Sequence, residues 1–135
     1  MKFLLDTNAV SALMRGDPKF LARLRSTSRR SVAVSQPVLA ELAYGIARLP
    51  RSKRKSALQE RLERVKAELG RCDWNDDVSV AFGEIKANLE KRGMPIEDFD
   101  VAVAAHAVAY RAVLVTANVR HMSRIAGLVV EDWST

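Results

Sequence analysis

Four oxygen-bearing side chains, far apart along the chain, each stand inside or at the end of an apolar segment. They are Asp6, Glu41, Asp100 and Asn118. Carboxylate and amide oxygens, without paired histidines or cysteines beside them, suit a hard cation such as Mg²⁺ or Mn²⁺ rather than zinc. If the fold brings these four residues together, the sequence predicts a pocket of oxygen ligands for a divalent metal ion.

Asp6 is the best placed of the four. The unbroken apolar run Phe3 to Leu5 is typical of a strand buried on both faces of a parallel sheet, and Asp6 and Thr7 follow where that strand would end. Ligands bind at the carboxyl ends of the strands in open α/β sheets. The segment itself leaves a second interpretation open, in which Asp6 only caps the helix that follows. We expect Asn8 to cap that helix, over Ala9 to Met14.

The other candidates also have structural alternatives. Glu41 is the only charged residue from Gln36 to Ala47, in a helix predicted from about Pro37 to Arg48, and by itself is more simply a surface residue at the edge of the apolar stripe. Asp100 belongs to a crowded group with Glu97 and Asp98 at the start of a very apolar helix, where one acid can act as a cap. Three acids there repel one another unless a cation is close.

The elements that must position these residues alternate between strands and helices. Short apolar strands are predicted at Phe3 to Leu5, Ser31 to Val34, Val113 to Thr116 and Leu128 to Val130, with helices between them. Such alternation gives an α/β fold with a parallel sheet and right-handed crossovers. Asp6 and the turn from Thr116 to Asn118 then lie on one edge of the sheet, within reach of the helices that carry Glu41 and Asp100.

The charge of the chain is polarised. The formal net charge is +6, yet residues 1–71 hold 16 basic and 6 acidic side chains, while residues 72–135 hold 6 basic and 10 acidic. A basic surface beside an acidic cluster suits an enzyme that binds a polyanion and cuts it with a metal held by carboxylates. Solvated lysines and arginines on outer helices explain the basic half equally well.

Length and composition predict a single domain over residues 1–135 in the cytoplasm. The one cysteine, Cys72, has no partner for a disulfide, and no apolar stretch is long enough for a signal peptide or a membrane span. Cys72, His106 and Trp133 are interpreted as packing residues. Asp76 and Asp77 are assigned to the start of a helix rather than to a second metal site.

Four segments together resemble a known family. They are Leu4-Leu5-Asp6-Thr7-Asn8, Glu41-Leu42-Ala43-Tyr44-Gly45, Phe99 to Ala107 with Asp100 and His106, and Leu114-Val115-Thr116-Ala117-Asn118. In this order and spacing they resemble PIN-domain ribonucleases, and most closely the VapC toxins of type II toxin-antitoxin pairs. The resemblance covers nearly the whole chain.

The resemblance implies a three-layer α/β/α sandwich with a central, mainly parallel sheet, and an Mg²⁺-dependent endoribonuclease in which Mn²⁺ can substitute. It implies that Asp6 and Asp100 hold the metal, with Glu41 and Asn118 completing the site and Thr7 and Thr116 supporting it. Asp100 fits the family spacing three residues before Val103, and Asp98 is the alternative. The implied partners are RNA, a cognate antitoxin and a second copy of the chain; the antitoxin would pack along the apolar groove between early helices.

The chain departs from the family at two positions. Many members have an acid where this chain has Asn118, and often another where it has His121. An amide oxygen brings no charge, so we expect one firmly held metal and a second that is held more weakly. A non-catalytic nucleic-acid-binding module that keeps the fold is therefore the alternative function. A phosphoacceptor receiver domain is a weaker option, because Asp6-Thr7-Asn8 supplies no acidic pair.

Overall fold

A computed structural model describes residues 1–135, with five strands and seven α-helices. The strands are β1 (Phe3–Leu5), β2 (Val32–Ser35), β3 (Gly70–Cys72), β4 (Val113–Val115) and β5 (Val130–Glu131). The helices are α1 (Thr7–Arg15), α2 (Pro18–Arg25), α3 (Gln36–Ala47), α4 (Lys53–Glu68), α5 (Asp76–Lys91), α6 (Asp98–Ala109) and α7 (Val119–Met122), with a short 3-10 turn at Arg29–Ser31. This is the predicted three-layer α/β/α sandwich.

The sheet is entirely parallel, in the order β3-β2-β1-β4-β5. The strand that precedes Asp6 is therefore central, and its three residues are all buried because helices cover both faces. β2 and β4 flank it, pairing Leu5 with Val34 on one side and with Val115 on the other. The carboxyl ends of the three middle strands thus lie side by side.

One hydrophobic core of 34 buried residues joins the sheet to the helices. The most apolar helix, α6, buries every residue from Val101 to Ala107, as its all-round apolar sequence predicts. Trp133 packs against Phe3 and Phe20, with ring centroids 5.1 and 5.5 Å apart. His106 is a core histidine as predicted: its Nδ1 lies 2.7 Å from the Ala102 carbonyl oxygen.

The start of α1 differs from the prediction. The helix begins at Thr7, and its N-cap is Asp6, whose Oδ1 accepts a hydrogen bond of 2.8 Å from the Thr7 amide. Asn8 is inside the helix and is not the cap. Asp6 takes this position because the strand ends directly before it, so its side chain is the first able to meet the free amides of the helix. The helix ends at Arg15, and the following Gly16 caps it in a left-handed conformation with φ 73°.

The remaining differences are small. β2 ends at Ser35, one residue later than expected, and Ser35 occupies the N-cap position of α3 without a side-chain capping bond. β5 covers Val130 and Glu131 rather than Leu128 to Val130. Cys72 is buried. No helix has the length and apolar character needed to cross a bilayer.

Candidate active site

The sheet register places Asp6 beside Thr116. Leu5 pairs with Val115, so the next residue of each chain segment leaves the sheet at the same level. The Asp6 amide still donates to the Val115 carbonyl at 2.9 Å, which fixes the backbone at this point. Both side chains are almost fully buried, with 4% of Asp6 and 1% of Thr116 exposed. The end of the central strand therefore carries a buried carboxylate and a buried hydroxyl in contact.

A hydrogen-bond network holds the Asp6 carboxylate in one orientation. The Thr116 hydroxyl donates to Asp6 Oδ2 at 2.8 Å and accepts from Asn8 Nδ2 at 3.1 Å and from the Asn118 amide at 3.0 Å. The Asn8 side chain also accepts from the Ala117 amide at 2.8 Å. Thr116 is the centre of this network, and Asn8 ties the start of α1 to the turn after β4.

Replacing Thr116 by valine tests this network. T116V keeps the shape of the side chain but leaves Asp6 Oδ2 without its closest donor and the Asn118 amide without its acceptor. We expect the free energy of unfolding in urea to fall by about 1–3 kcal/mol, the usual cost of unsatisfied buried polar groups. T116S, which keeps the hydroxyl, is the matched control. Equal stability of T116V and the wild type would show that the network contributes nothing.

The other candidates meet Asp6 in one pocket. Asp6, Glu41, Asp100 and Asn118 all line a cavity of about 410 Å³ at the carboxyl edge of the sheet. Glu41 comes from α3 and Asp100 from the first turn of α6, and both are partly buried. Residues distant along the chain therefore share one concave surface. The surface interpretation of Glu41 does not describe it fully, because Glu41 lies at the pocket wall.

The carboxylates of the pocket influence one another. Burial raises the pKa of Asp6, and the nearby Glu41 charge adds to this, while hydrogen bonds from Thr116 and Thr7 oppose it. Burial also raises the pKa of Asp100, reinforced by the charges of Asp6, Glu97 and Glu41 and opposed by His121. None of the chain's four salt bridges involves Asp6, Glu41 or Asp100. The pocket thus concentrates negative charge that no basic side chain neutralises directly.

The prediction that these residues gather is met only in part, because they share the pocket but Asp6, Glu41 and Asp100 do not all converge on one ion. No three acidic, histidine or cysteine side chains converge closely enough to hold one ion together. Mg²⁺ usually takes only one or two carboxylates and keeps several waters. Asp6 and Asp100 both line the pocket, and the charge of Asp6 contributes to raising the pKa of Asp100, so they are the candidates for such a pair. Their mutual repulsion and their oxygen-only chemistry both favour a divalent cation between them.

The remaining predicted residues have distinct positions. The Oδ1 of Asn118 lies 2.9 Å from His121 Nδ1, so these two side chains are paired with each other at the rim. Asp98 does not line the pocket and forms a salt bridge of 3.0 Å with Lys86. Thr7 lines the pocket and contributes its amide to Asp6. The structure thus brings Asp100, and not Asp98, to the acids.

Sequence reasoning missed three pocket residues of α1. Asn8 was interpreted only as a cap, and Ser11 and Arg15 were not singled out, yet all three line the cavity. Thr7, Ser11 and Arg15 recur at steps of four, which places them on one face of a helix. That spacing was visible in the sequence. The contacts of Asn8 with the turn after β4 were not, because they join residues 108 and 109 positions apart.

A second cavity, of about 330 Å³, adjoins the pocket. It lies between α1, α3 and α4, and its apolar wall comes from Met14, Leu42, Ile46, Leu49 and Leu58. Thr7, Ser11, Arg15 and Glu41 line both cavities, so the two share a wall. We call this second cavity the α1/α3/α4 groove.

Comparison with known proteins finds relatives of the same length and fold. The sequence model of the PIN domain family matches residues 3–128. The chain is 33% identical to Ribonuclease VapC2 of Rickettsia felis and 29% identical to the tRNA(fMet)-specific endonuclease VapC of Salmonella typhimurium, covering 98% of both proteins in each case. It superimposes with a TM-score of 0.89 and 31% identity on a crystal structure of VapBC2 from Rickettsia felis bound to a DNA fragment from their promoter, over 98% of this chain and 99% of that chain.

Proposed function

This chain belongs to the PIN domain family, with VapC proteins among its relatives, and from that membership we propose that it is a metal-dependent endoribonuclease, the toxin of a toxin-antitoxin pair. The observation that carries the proposal is the pocket shared by Asp6, Glu41 and Asp100. Carboxylates gathered at the carboxyl ends of parallel strands are equipped for phosphodiester hydrolysis with a bound cation. The name of the Salmonella relative makes tRNA the first RNA to test.

Asp6 and Asp100 would hold Mg²⁺, or Mn²⁺ in its place, which supplies Lewis-acid activation of water and neutralises charge on the phosphate. The chain's own residues do the rest. Thr116 and Thr7 donate to Asp6 and keep its carboxylate aimed into the pocket. Glu41, which lines the pocket from α3, would accept a proton from the attacking water through a carboxylate oxygen. Asn118 faces the same space and can hydrogen-bond to the phosphate.

RNA cleavage tests the proposal directly. The purified protein is incubated with tRNA and with a single-stranded DNA of matched length, in Mg²⁺ and in excess EDTA. We expect cleavage of the RNA in Mg²⁺ alone, because the pocket needs a cation to neutralise its acids. Undiminished cleavage in EDTA would contradict the metal requirement, and intact RNA in every reaction would contradict the nuclease assignment.

One observation favours the alternative of a non-catalytic RNA-binding module. The fourth predicted site residue is Asn118, a neutral side chain paired with His121. RNA binding that weakens steeply with salt, with no turnover in Mg²⁺ or Mn²⁺, would select this alternative.

The α1/α3/α4 groove supports an antitoxin partner. Its apolar wall suits a helical or extended peptide, and the shared wall with the acidic pocket would let a basic side chain of that peptide reach Glu41. The structural neighbour from Rickettsia felis is itself a VapBC complex. We propose that a cognate antitoxin binds here and blocks the pocket.

Three further proposals complete the functional assignment. The 34-residue core supports a single domain. A homodimer is proposed on the family resemblance alone. The single, buried cysteine supports a reducing cytoplasmic environment.

A further inference from the structure

Arg15 is the only lysine or arginine among the residues that line the acidic pocket. Four acids, Asp6, Glu41, Asp100 and Asp132, line the same cavity. A polyanion that enters the pocket therefore meets one fixed positive charge. Arg15 is exposed and takes part in none of the four salt bridges, so its guanidinium is free to bind a ligand.

The position of Arg15 on its helix aims it at the pocket. Arg15 is the last residue of α1, eight residues after Thr7, which corresponds to roughly 12 Å along a helix axis. Side chains in a helix tilt toward its N-terminus, so the guanidinium extends back in the direction of the acids. Ser11 lies between Thr7 and Arg15 on the same face. The result is a polar stripe that leads away from the predicted metal ligands and ends in a guanidinium.

Arg15 also lines the adjoining α1/α3/α4 groove, but there it is not the only basic residue. In the α1/α3/α4 groove, Arg54 and Arg61 already supply positive charge against the single acid Glu41. Arg61 also donates to the Met14 carbonyl at 3.3 Å. On the groove side Arg15 is one of three arginines, whereas on the pocket side it is alone. Its distinct contribution is therefore to the ligand of the acidic pocket.

We propose that Arg15 binds a phosphate of the RNA backbone that flanks the cleaved bond, with Ser11 beside it. This inference rests on the proposed nuclease function and adds a substrate-binding residue to it. The planar guanidinium presents paired donors that match two oxygens of one phosphate. Binding there would set which phosphodiester lies over Asp6, because α1 fixes the spacing between Arg15 and the residue that caps the same helix.

The test measures steady-state kinetics on an RNA that the wild type cleaves, comparing R15Q, R15K and R25Q. Arg25 lies in the last turn of α2, outside both cavities, so R25Q removes the same charge elsewhere. We expect R15Q to raise KM about tenfold with kcat little changed, and to lower the salt dependence of log KM by about 0.7 per lost phosphate contact. R15K should recover part of the loss, and R25Q should match the wild type.

Neutral methylphosphonate linkages, placed singly at the phosphates beside the cleaved bond, identify the contact. At one position the neutral linkage should raise the KM of the wild type about tenfold and leave the KM of R15Q unchanged. If the substitution only perturbs the structure, each neutral linkage should raise KM by the same factor for R15Q as for the wild type. Thermal unfolding checks that R15Q is folded.

The inference is overturned if R15Q and R25Q have the same KM, or if every neutral linkage raises the KM of the wild type and of R15Q by the same factor. In both cases the wild type still cleaves RNA, so the proposed function survives. A wild type that cleaves no RNA in Mg²⁺ removes the proposed function, and this inference with it.

Discussion

Replacing Asp6 by asparagine is expected to lower the rate of RNA cleavage by roughly 100-fold or more. Changes in residues that only support a metal ligand already cost about 10–100-fold, and Asp6 is proposed to be a ligand itself. It is also the carboxylate on which the Thr116 hydroxyl and the Thr7 amide converge. D6N keeps the size of the side chain and removes its charge, so the loss would be chemical rather than steric.

The matched control for this experiment is D98N. Asp98 is an acid two residues from Asp100, but it lies outside the pocket in an exposed salt bridge with Lys86. We expect D98N to cleave RNA at the wild-type rate and D100N to be as impaired as D6N. Full activity of D6N would exclude Asp6 from the reaction, and loss of activity in D98N alone would make Asp98 the functional acid of α6.

The second large effect is expected on adding a divalent metal to the metal-free protein. Mg²⁺ or Mn²⁺ should raise the melting temperature by several degrees, because a ligand at about 100 times its Kd stabilises the folded state by about 2.7 kcal/mol. Burial, and to a smaller extent the charges of neighbouring acids, raise the pKa of Asp6 and of Asp100, and a bound cation would favour their ionised forms. D6N and D100N should lose this response, and D98N should keep it.

The pH dependence of this effect has a definite sign. In the metal-free protein the folded pKa of Asp6 and of Asp100 lies above the ordinary value of an aspartate. The stability associated with their protonated forms is complete below that value and is lost as the pH rises through the folded pKa. Metal binding needs the ionised carboxylates, so the shift in melting temperature should be larger near neutral pH than at acid pH. The opposite trend would contradict the assignment of these two ligands.

D100N provides a further check on the same balance. Asp100 is partly buried and is repelled by Asp6, Glu97 and Glu41, so removing its charge should stabilise the metal-free protein near neutral pH. If Asp100 serves the reaction at a cost in stability, D100N should be more stable and less active than the wild type. Destabilisation by D100N would instead indicate that Asp100 has a structural role.

The strand that carries Asp6 and the turn that carries Asn118 could be predicted from the sequence. Both follow short apolar runs that stop at polar residues, and two parallel strands bring such ends together. The preference for Asp100 over Asp98 came from a family motif, and the structure places only Asp100 in the pocket. Local spacing had allowed either acid.

What the sequence did not predict depends on contacts between distant segments. Asn8 looked like a helix cap, yet Asp6 takes that place and the Asn8 side chain instead bridges to the turn after β4. The local sequence favoured a surface position for Glu41, and only the family resemblance assigned it to the site, because its neighbours in sequence give no sign of the pocket wall. Arg15 drew no attention among 16 basic residues in the first half of the chain, because only the fold separates it from the solvated ones.

Crystals of the protein soaked in Mn²⁺ provide the most direct measurement, because manganese is located by its anomalous scattering. We predict one strong anomalous peak in the pocket, about 2.1 Å from a carboxylate oxygen of Asp6 and from one of Asp100, with Glu41 facing it across coordinated solvent. A map without a peak there, or with its only peak at another surface, would contradict the assignment of these acids to one metal ion.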